Sequence, residues 1–319
     1  MICEFRGASS WVILSAIEKS IKDKIEAVGT PLREWDININ RGVLTGYNEA
    51  FIIDTYKRNE ILSACTTDDE RQRTSDLIRP ILRGRDIKRF EYEWAELWLI
   101  ATFPAKHYNI EQYPAVKQYL LSFAKDELLN AGYDWIVKDH LADYCKQKLS
   151  QTGKFVEIKG KRITLGTSPE KARKLTNNKW FETQDSISYW DDFNKPKILW
   201  KRVGSILRFS YDESGKLGLD STCFATGKGI AYLCCVLNSP MGHFLLKDAP
   251  KTGTGDLLIS VQAVEPIKIP IIDNDSEYIS YLHRFEQTDE EAERIINAHI
   301  YELYHLTAEE IEYLENREK

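Results

Sequence analysis

Residues 159 to 180, KGKRITLGTSPEKARKLTNNKW, carry seven Lys and Arg against the single carboxylate of Glu170 and end on Trp180. Lys and Arg neutralise phosphates and release counterions, which gives affinity without sequence preference, while Asn, Gln and Arg make paired hydrogen bonds to base edges. Both kinds occur between residues 159 and 189. Arg162, Lys171, Arg173, Lys174 and Lys179 can track a phosphate backbone, with Lys159 and Lys161 on the same cationic run. Asn177, Asn178, Gln184 and again Arg173 can read bases, and Trp180 and Tyr189 can pack on sugars or an extruded base. The plain alternative is a solvated loop of ordinary Lys content. A second cluster, Arg79, Arg83, Arg85, Lys88 and Arg89, is opposed within itself only by Asp86, and Arg83 and Arg85 join the candidate contacts. Its plain alternative is a loop held by an Arg85–Asp86 ion pair. Lys201 and Arg202, with Arg208 beyond them, lie on strand-like stretches where alternate residues face outward, so only some can share a basic face.

Other chemistries fit less well. Glu157-Ile158-Lys159, with Asp139 or Asp143 upstream, matches the skeleton of a magnesium nuclease, in which two carboxylates hold the ion and a Lys stabilises the attacked phosphate. So short a triplet recurs by chance, and Glu157 with Lys159 stands as an alternative. Lys251-Thr252-Gly253-Thr254-Gly255 shares only its glycines with a phosphate or S-adenosylmethionine loop; no G-K-[ST] is present, and a plain turn is the expectation. No G-x-S-x-G marks acyl transfer. The six cysteines contain no C-x-x-C pair, and His299 and His305 are six apart rather than four, so no metal site is expected.

The elements that must place these groups belong to a chain of 319 residues with net charge −6. That charge is segregated. Residues 273 to 319 hold fourteen Asp and Glu against four Lys and Arg, a local −10 that leaves the preceding residues at +4. No window approaches the roughly eighteen apolar residues of a membrane span, and MICEFRGASSW lacks a signal peptide's basic start, so the expectation is a cytoplasmic protein.

Leu14, Ile17, Ile21, Ile25 and Val28 recur at helical spacing, and the segment from Pro114 to Leu129 does likewise. INRGVLTGYNEAFIID suits a hairpin around Gly46-Tyr47-Asn48, and a second hairpin is expected around Gly160-Lys161. LIRPILRGRDIKRF reads as a bent segment leading to a strand from Trp98 to Phe103; KILWKRV, ILRFSYD, LLISVQAV and IKIPII read as short strands. GIAYLCCVLNSPMGHFLLK reads as a helix broken at Ser239-Pro240, and Thr288 with Glu291 and Thr307 with Glu310 have capping-box spacing. This divides the chain into an N-terminal docking helix (1–30), a mixed strand-and-helix body (31–272) and acidic C-terminal helices (273–319).

Three ordered stretches carry a resemblance. Gly42 to Phe51 (GVLTGYNEAF), Arg79 to Ile87 (RPILRGRDI) and Phe193 to Ile198 (FNKPKI) resemble the TaqI-like C-terminal specificity domain, and Tyr232-Leu233, Leu237-Asn238-Ser239 and Glu302 to Glu310 resemble the last helices of the same enzymes. That domain is the target-recognition part of adenine-specific DNA methyltransferases in type II and type IIG restriction-modification systems. The resemblance spans roughly residues 33 to 315; the basic stretch from about 134 to 178 does not align with the family pattern. It implies an α+β fold: a mixed, twisted β-sheet recognition domain with helices, like the recognition domains of type I specificity subunits, flanked by N- and C-terminal helices. It further implies double-stranded DNA as partner, together with a methyltransferase catalytic domain or subunit. S-adenosylmethionine, with Mg²⁺ as an option, would belong to the parent enzyme and no cofactor to this chain. The family's Asn/Asp-Pro-Pro-Tyr/Phe loop is missing, since the chain has no Pro-Pro dipeptide, so methylation by this chain alone is not expected. A fragment or separately encoded piece of a larger enzyme is the expectation, with a protein-interaction subunit as a further alternative.

Overall fold

The computed structural model describes residues 14–122, 178–179, 181–284 and 290–316, and the backbone of 123–130, 155–158 and 161–164. Helix α1 (Ala16–Val28) forms where apolar residues recur on one face, and it buries Ile21 and Ile25. A capping box starts it: the Ser15 hydroxyl accepts from the Glu18 N–H, and the Glu18 carboxylate accepts from the Ser15 N–H. Strand β1 (Thr30–Pro31) then pairs antiparallel with β14 (Lys268–Ile269), joining the start of the described chain to a distant segment.

The central sheet is antiparallel, in the order β10-β8-β12-β2, from β2 (Ile37–Arg41), β8 (Lys197–Lys201), β10 (Phe209–Asp212) and β12 (Thr222–Gly227). Strand alternation lets it separate two hydrophobic clusters. Ile198, Trp200, Cys223 and Ala225 face one cluster, whereas Leu199 and Phe224 face the other with Phe193, Leu217 and Leu219. Both faces are thus covered, which is why β8 and β12 read as continuous buried runs.

Beyond the second cluster lies a mixed sheet of order β11-β4-β5-β3. Strands β3 (Ile52–Asp54), β4 (Ile78–Leu82) and β5 (Leu97–Ile100) are antiparallel, and β11 (Leu217–Gly218) is parallel to β4. Pro80 is accommodated inside β4 because β11 reaches only Ile81 and Leu82, so the missing N–H leaves no ladder partner unsatisfied. Helices α2 (Asn48–Phe51), α3 (Thr55–Ser63), α4 (Asp68–Leu77) and α5 (Pro114–Asn130) cover this lobe with Phe51, Ile61, Leu77, Val116 and Leu120. The pair β6 (Phe155–Ile158) and β7 (Lys161–Thr164) forms the expected hairpin, with Ile158 opposite Lys161. Strands β9 (Val203–Gly204) and β13 (Leu257–Leu258) make a further short ribbon.

Helix α6 (Ile230–Asn238) is buried at every residue under the central sheet. The Ser239-Pro240 step ends α6 and starts α7 (Pro240–Leu246), whose Gly242 N–H donates to the Ser239 hydroxyl. A single turn, α8 (Val261–Val264), stands where LLISVQAV suggested continuous strand. Helices α9 (Ser276–Leu282), α10 (Glu290–Leu303) and α11 (Ala308–Asn316) add Tyr278, Ile296, Ile300, Tyr304 and Leu314 to the cluster around α6. Thr307 and Glu310 cap α11, and Glu310 also accepts from Lys24 Nζ (2.6 Å) and the Ser20 hydroxyl (2.7 Å), which ties α11 to α1.

The architecture is the expected α+β class with helices at both ends. The hairpin across Gly46 is not: β2 and β3 belong to different sheets, and α2 begins at Asn48. Gly46 does make a turn, with φ +79°. Turn residues mark where a chain changes direction, but the partner of each strand is decided by tertiary packing.

Candidate nucleic-acid interface

The two sheets meet where β2 ends. Gly42 runs so close to β11 that a Cβ at this position would stand 2.0 Å from the Leu219 carbonyl oxygen, so only glycine fits. Gly42 N–H donates to Thr222 O (3.0 Å) and Val43 N–H to Gly218 O (2.7 Å), stitching the crossing. At the same end β4 runs into the loop Arg83-Gly84-Arg85-Asp86. The Arg83 guanidinium donates to Asp86 through Nε (3.0 Å) and Nη2 (2.7 Å), and the Arg83 N–H donates to the same carboxylate (2.8 Å). Gly84 N–H donates to the Ser221 hydroxyl (3.0 Å). The closed loop turns Arg85 to the solvent, where it has no partner among the described residues.

Gly84 lies against Lys201, whose side chain is exposed at the end of β8, and the Arg202 N–H donates to Ser221 O (2.9 Å). Arg41, opposite Cys223 in the central sheet, donates to Asp185 (2.8 Å), a bond that raises the guanidinium pKa. Arg41, Arg85, Lys201 and Arg202 therefore gather at one end of the seam, with Asp185 and Asp220 as nearby acids. Arg41 was not among the residues singled out from sequence; its one signal is its register at the end of β2.

The remaining candidates take varied places. Tyr189 packs its ring on Phe193 and Phe224 and donates its hydroxyl to Arg41 O (2.8 Å); burial pushes its pKa up to about 12. It braces the seam. Asn178 donates its amide to Thr183 O (2.9 Å) and Gln184 O (2.7 Å), fixing a loop. Gln184 is anchored by its own N–H on Leu44 O and Thr45 O, and its half-buried side chain makes no hydrogen bond among the described residues. Lys179 is exposed and donates to Tyr108 O (3.4 Å) on the first lobe, that of the mixed sheet and its helices. Lys159, Lys171, Arg173, Lys174, Asn177 and Trp180 lie outside the described residues, as do Asp139 and Asp143 and the side chains of Glu157, Lys161 and Arg162.

Within residues 79 to 89, four cations are engaged by the protein itself. Arg79 donates to Asn194 (2.8 Å) and Gly215 O (2.9 Å), Arg83 to Asp86, Lys88 pairs with Glu93 (3.0 Å), and Arg89 binds Glu293 (2.6 Å) and Asn238 O (2.7 Å). The stretch Phe193 to Ile198 is equally architectural. Lys197 is fully buried, bonded to Asp212 and donating to Phe193 O (2.8 Å). Burial alone would raise the Asp212 pKa, but Lys197 and the donors Ser214 and Tyr92 hold it below the ordinary carboxylate value. Residues 251 to 255 form a turn, with Thr252 N–H donating to Asp256 O (2.8 Å) and Gly255 at φ +90°.

Among the described residues, no group of three His, Cys, Asp or Glu is placed to hold a metal. Nor is any of their helices long and apolar enough to cross a membrane. Cys65, Cys223, Cys234 and Cys235 are buried thiols, and burial pushes Cys223 up to about 11.

Two sheets sharing one crossing, with helices at either end, make an α+β domain whose seam turns cations outward at one end. The chain belongs to the family of TaqI-like C-terminal specificity domains, which matches residues 79–271. The solved structure of the type IIL restriction-modification enzyme MmeI in complex with DNA is similar in fold, with a TM-score of 0.51 at 10% identity, covering 91% of this chain and 36% of that one. The type IIG restriction endonuclease BpuSI aligns with a TM-score of 0.46 at 12% identity, over 91% of this chain and 33% of that one. The chain thus spans about a third of the length of these enzymes. No curated protein matches this chain.

Proposed function

We propose that this chain reads a DNA target for a restriction-modification enzyme and presents it to a methyltransferase catalytic domain or subunit. The observation that carries this reading is the coincidence of the family match, residues 79–271, with a seam that turns Arg85 and Lys201 outward while Arg83, Asn178 and Tyr189 secure the backbone around them. Exposed cations at the edge of the seam suit phosphate contacts that fix register, and the Gln184 amide, without a partner among the described residues, suits a base edge. Lys159, Lys161, Arg162, Lys171, Arg173 and Lys174 would extend the same grip along the duplex.

The catalytic partner would use that grip to extrude an adenine, with S-adenosylmethionine bound on the partner and Mg²⁺ serving any cleavage there. Docking would fall to residues 1–30 and to the acidic helices of 273–319, in the cytoplasm where the DNA lies. The test is binding to duplex DNA over rising salt: log K should fall by about 0.9 per log unit of salt for each phosphate contact. A flat salt response would remove the reading.

A further inference from the structure

We propose that the first lobe carries a phosphate-binding subsite formed by Arg73, Arg79 and Lys106, with Tyr108 and Tyr113 as neutral donors. These residues line one cavity of about 270 Å³, closed on a side by Trp190. They come from separate elements: Arg73 from α4, Arg79 from β4, Lys106 from the turn Pro104–Lys106, and the tyrosines from the path into α5.

Three cations, Arg73, Arg79 and Lys106, against the one lining acid Asp76 leave the cavity net positive. Arg73 and Lys106 make no ion pair among the described residues, and Arg79 is steered by the neutral oxygens of Asn194 and Gly215. The acid in the lining, Asp76, accepts a hydrogen bond from Gln72 (3.0 Å). Lys106 Nζ lies 3.3 Å over the Trp190 ring, a contact that orients the ammonium and leaves its charge in place. The Tyr108 and Tyr113 rings meet edge to face at 5.8 Å, and neither hydroxyl has a partner among the described residues. Burial pushes Tyr108 up to about 12, so it remains a protonated donor at neutral pH.

Two cationic forks, an ammonium and phenolic donors around a small space match the oxygens of a phosphate group. The cavity is smaller than the roughly 300–1,000 Å³ of sites that enclose a whole drug-sized ligand. It therefore suits a single phosphate group rather than a whole nucleotide-sized ligand. Lys179, the described end of the basic segment, donates to the Tyr108 carbonyl at the same place. That continuity assigns the group to a backbone phosphodiester of DNA, and this source rests on the DNA-reading function proposed above.

The experiment compares the full chain with the Arg73→Gln/Lys106→Gln variant, confirmed folded by thermal melting, for duplex binding across salt. The salt slope should shrink by about two, one per lost contact, and Arg73→Lys/Lys106→Arg should restore it. A second arm titrates inorganic phosphate at constant ionic strength and follows the Trp190 indole N–H, assigned with Trp190→Phe. An unchanged slope with phosphate-induced shifts lost in the Gln variant would overturn the DNA source and establish a small-phosphate site. An unchanged slope without such shifts would overturn the subsite while leaving duplex binding by the parent chain intact. Should the parent chain itself ignore DNA, the functional reading fails and the phosphate arm alone decides the subsite.

Discussion

Arg83 and Arg85 are chemically identical and two positions apart, yet the fold gives them opposite tasks. Arg83 is spent on Asp86, whose side chain is 5% exposed, whereas Arg85 faces solvent. Removing one member of a buried pair leaves the other uncompensated, so Arg83→Met should lower stability by about 3 kcal/mol in urea unfolding. Arg85→Ala should change it by no more than about 0.5 kcal/mol while weakening DNA binding and reducing its salt slope. Lys197→Met, which strands the buried Asp212, should cost about 3 kcal/mol or more; adding Asp212→Leu should recover part of that loss in the same assay. The sequence made these cations visible but not their engagements. The loop-holding pair weighed as the alternative, Arg85–Asp86, is instead Arg83–Asp86, and Arg89 finds Glu293 about two hundred residues away, a partner no local pattern announces.

Helices were the most legible elements because period and caps are local: Thr307 with Glu310 appears as a capping pair in sequence and in the fold, while Thr288 of the other expected pair lies outside the described residues. Strand partners were less so, since the Gly46 turn resembles a hairpin yet hands the chain from one sheet to another. Gly42→Ala should therefore be the more damaging of two glycine changes at the seam, costing about 2 kcal/mol or more, because its Cβ meets the fixed Leu219 carbonyl. Gly84→Ala meets the Lys201 side chain at 3.0 Å and the Ser221 carbonyl oxygen at 3.1 Å, a milder crowding for which about 1 kcal/mol is expected, with thermal denaturation reading both. The α1 clamp has its own pH signature. Burial would raise the Glu310 pKa, but Lys24, Ser20 and the Thr307 N–H hold it at about 2 against an ordinary 4.5. For Glu18, burial is likewise outweighed, by Lys247, the Ser15 N–H and Tyr313, again to about 2. A depressed carboxylate stabilises fully above its unfolded value and loses that contribution as pH falls through the folded one. The melting advantage of the parent chain over Glu310→Gln should thus be constant above pH 4.5 and shrink towards pH 2.

At the scale of the molecule, the stretches that carried the family resemblance prove to be architecture: Gly42 at the crossing, Arg83 to Asp86 at the loop, Lys197 with Asp212 beneath the sheet. That is why the fold was legible while the DNA-reading residues were less so, because side chains that test bases answer to a target rather than to a core. The two lobes are interleaved along the chain: β2 serves the central sheet, β3 to β5 the other, β8 and β10 the central one again, then β11 and β12 one of each. Urea unfolding followed by Trp fluorescence and by far-UV circular dichroism should accordingly give coincident midpoints; separated midpoints would show independent lobes. The same weave bears on how the chain is born. As it leaves the ribosome, β4 is complete at residue 82 but its parallel neighbour arrives only with residue 217, so while the intervening residues are made one flank of the nascent sheet stays unzipped. An open flank of that kind invites foreign strands, so the yield of folded chain should respond to chaperone supply during translation.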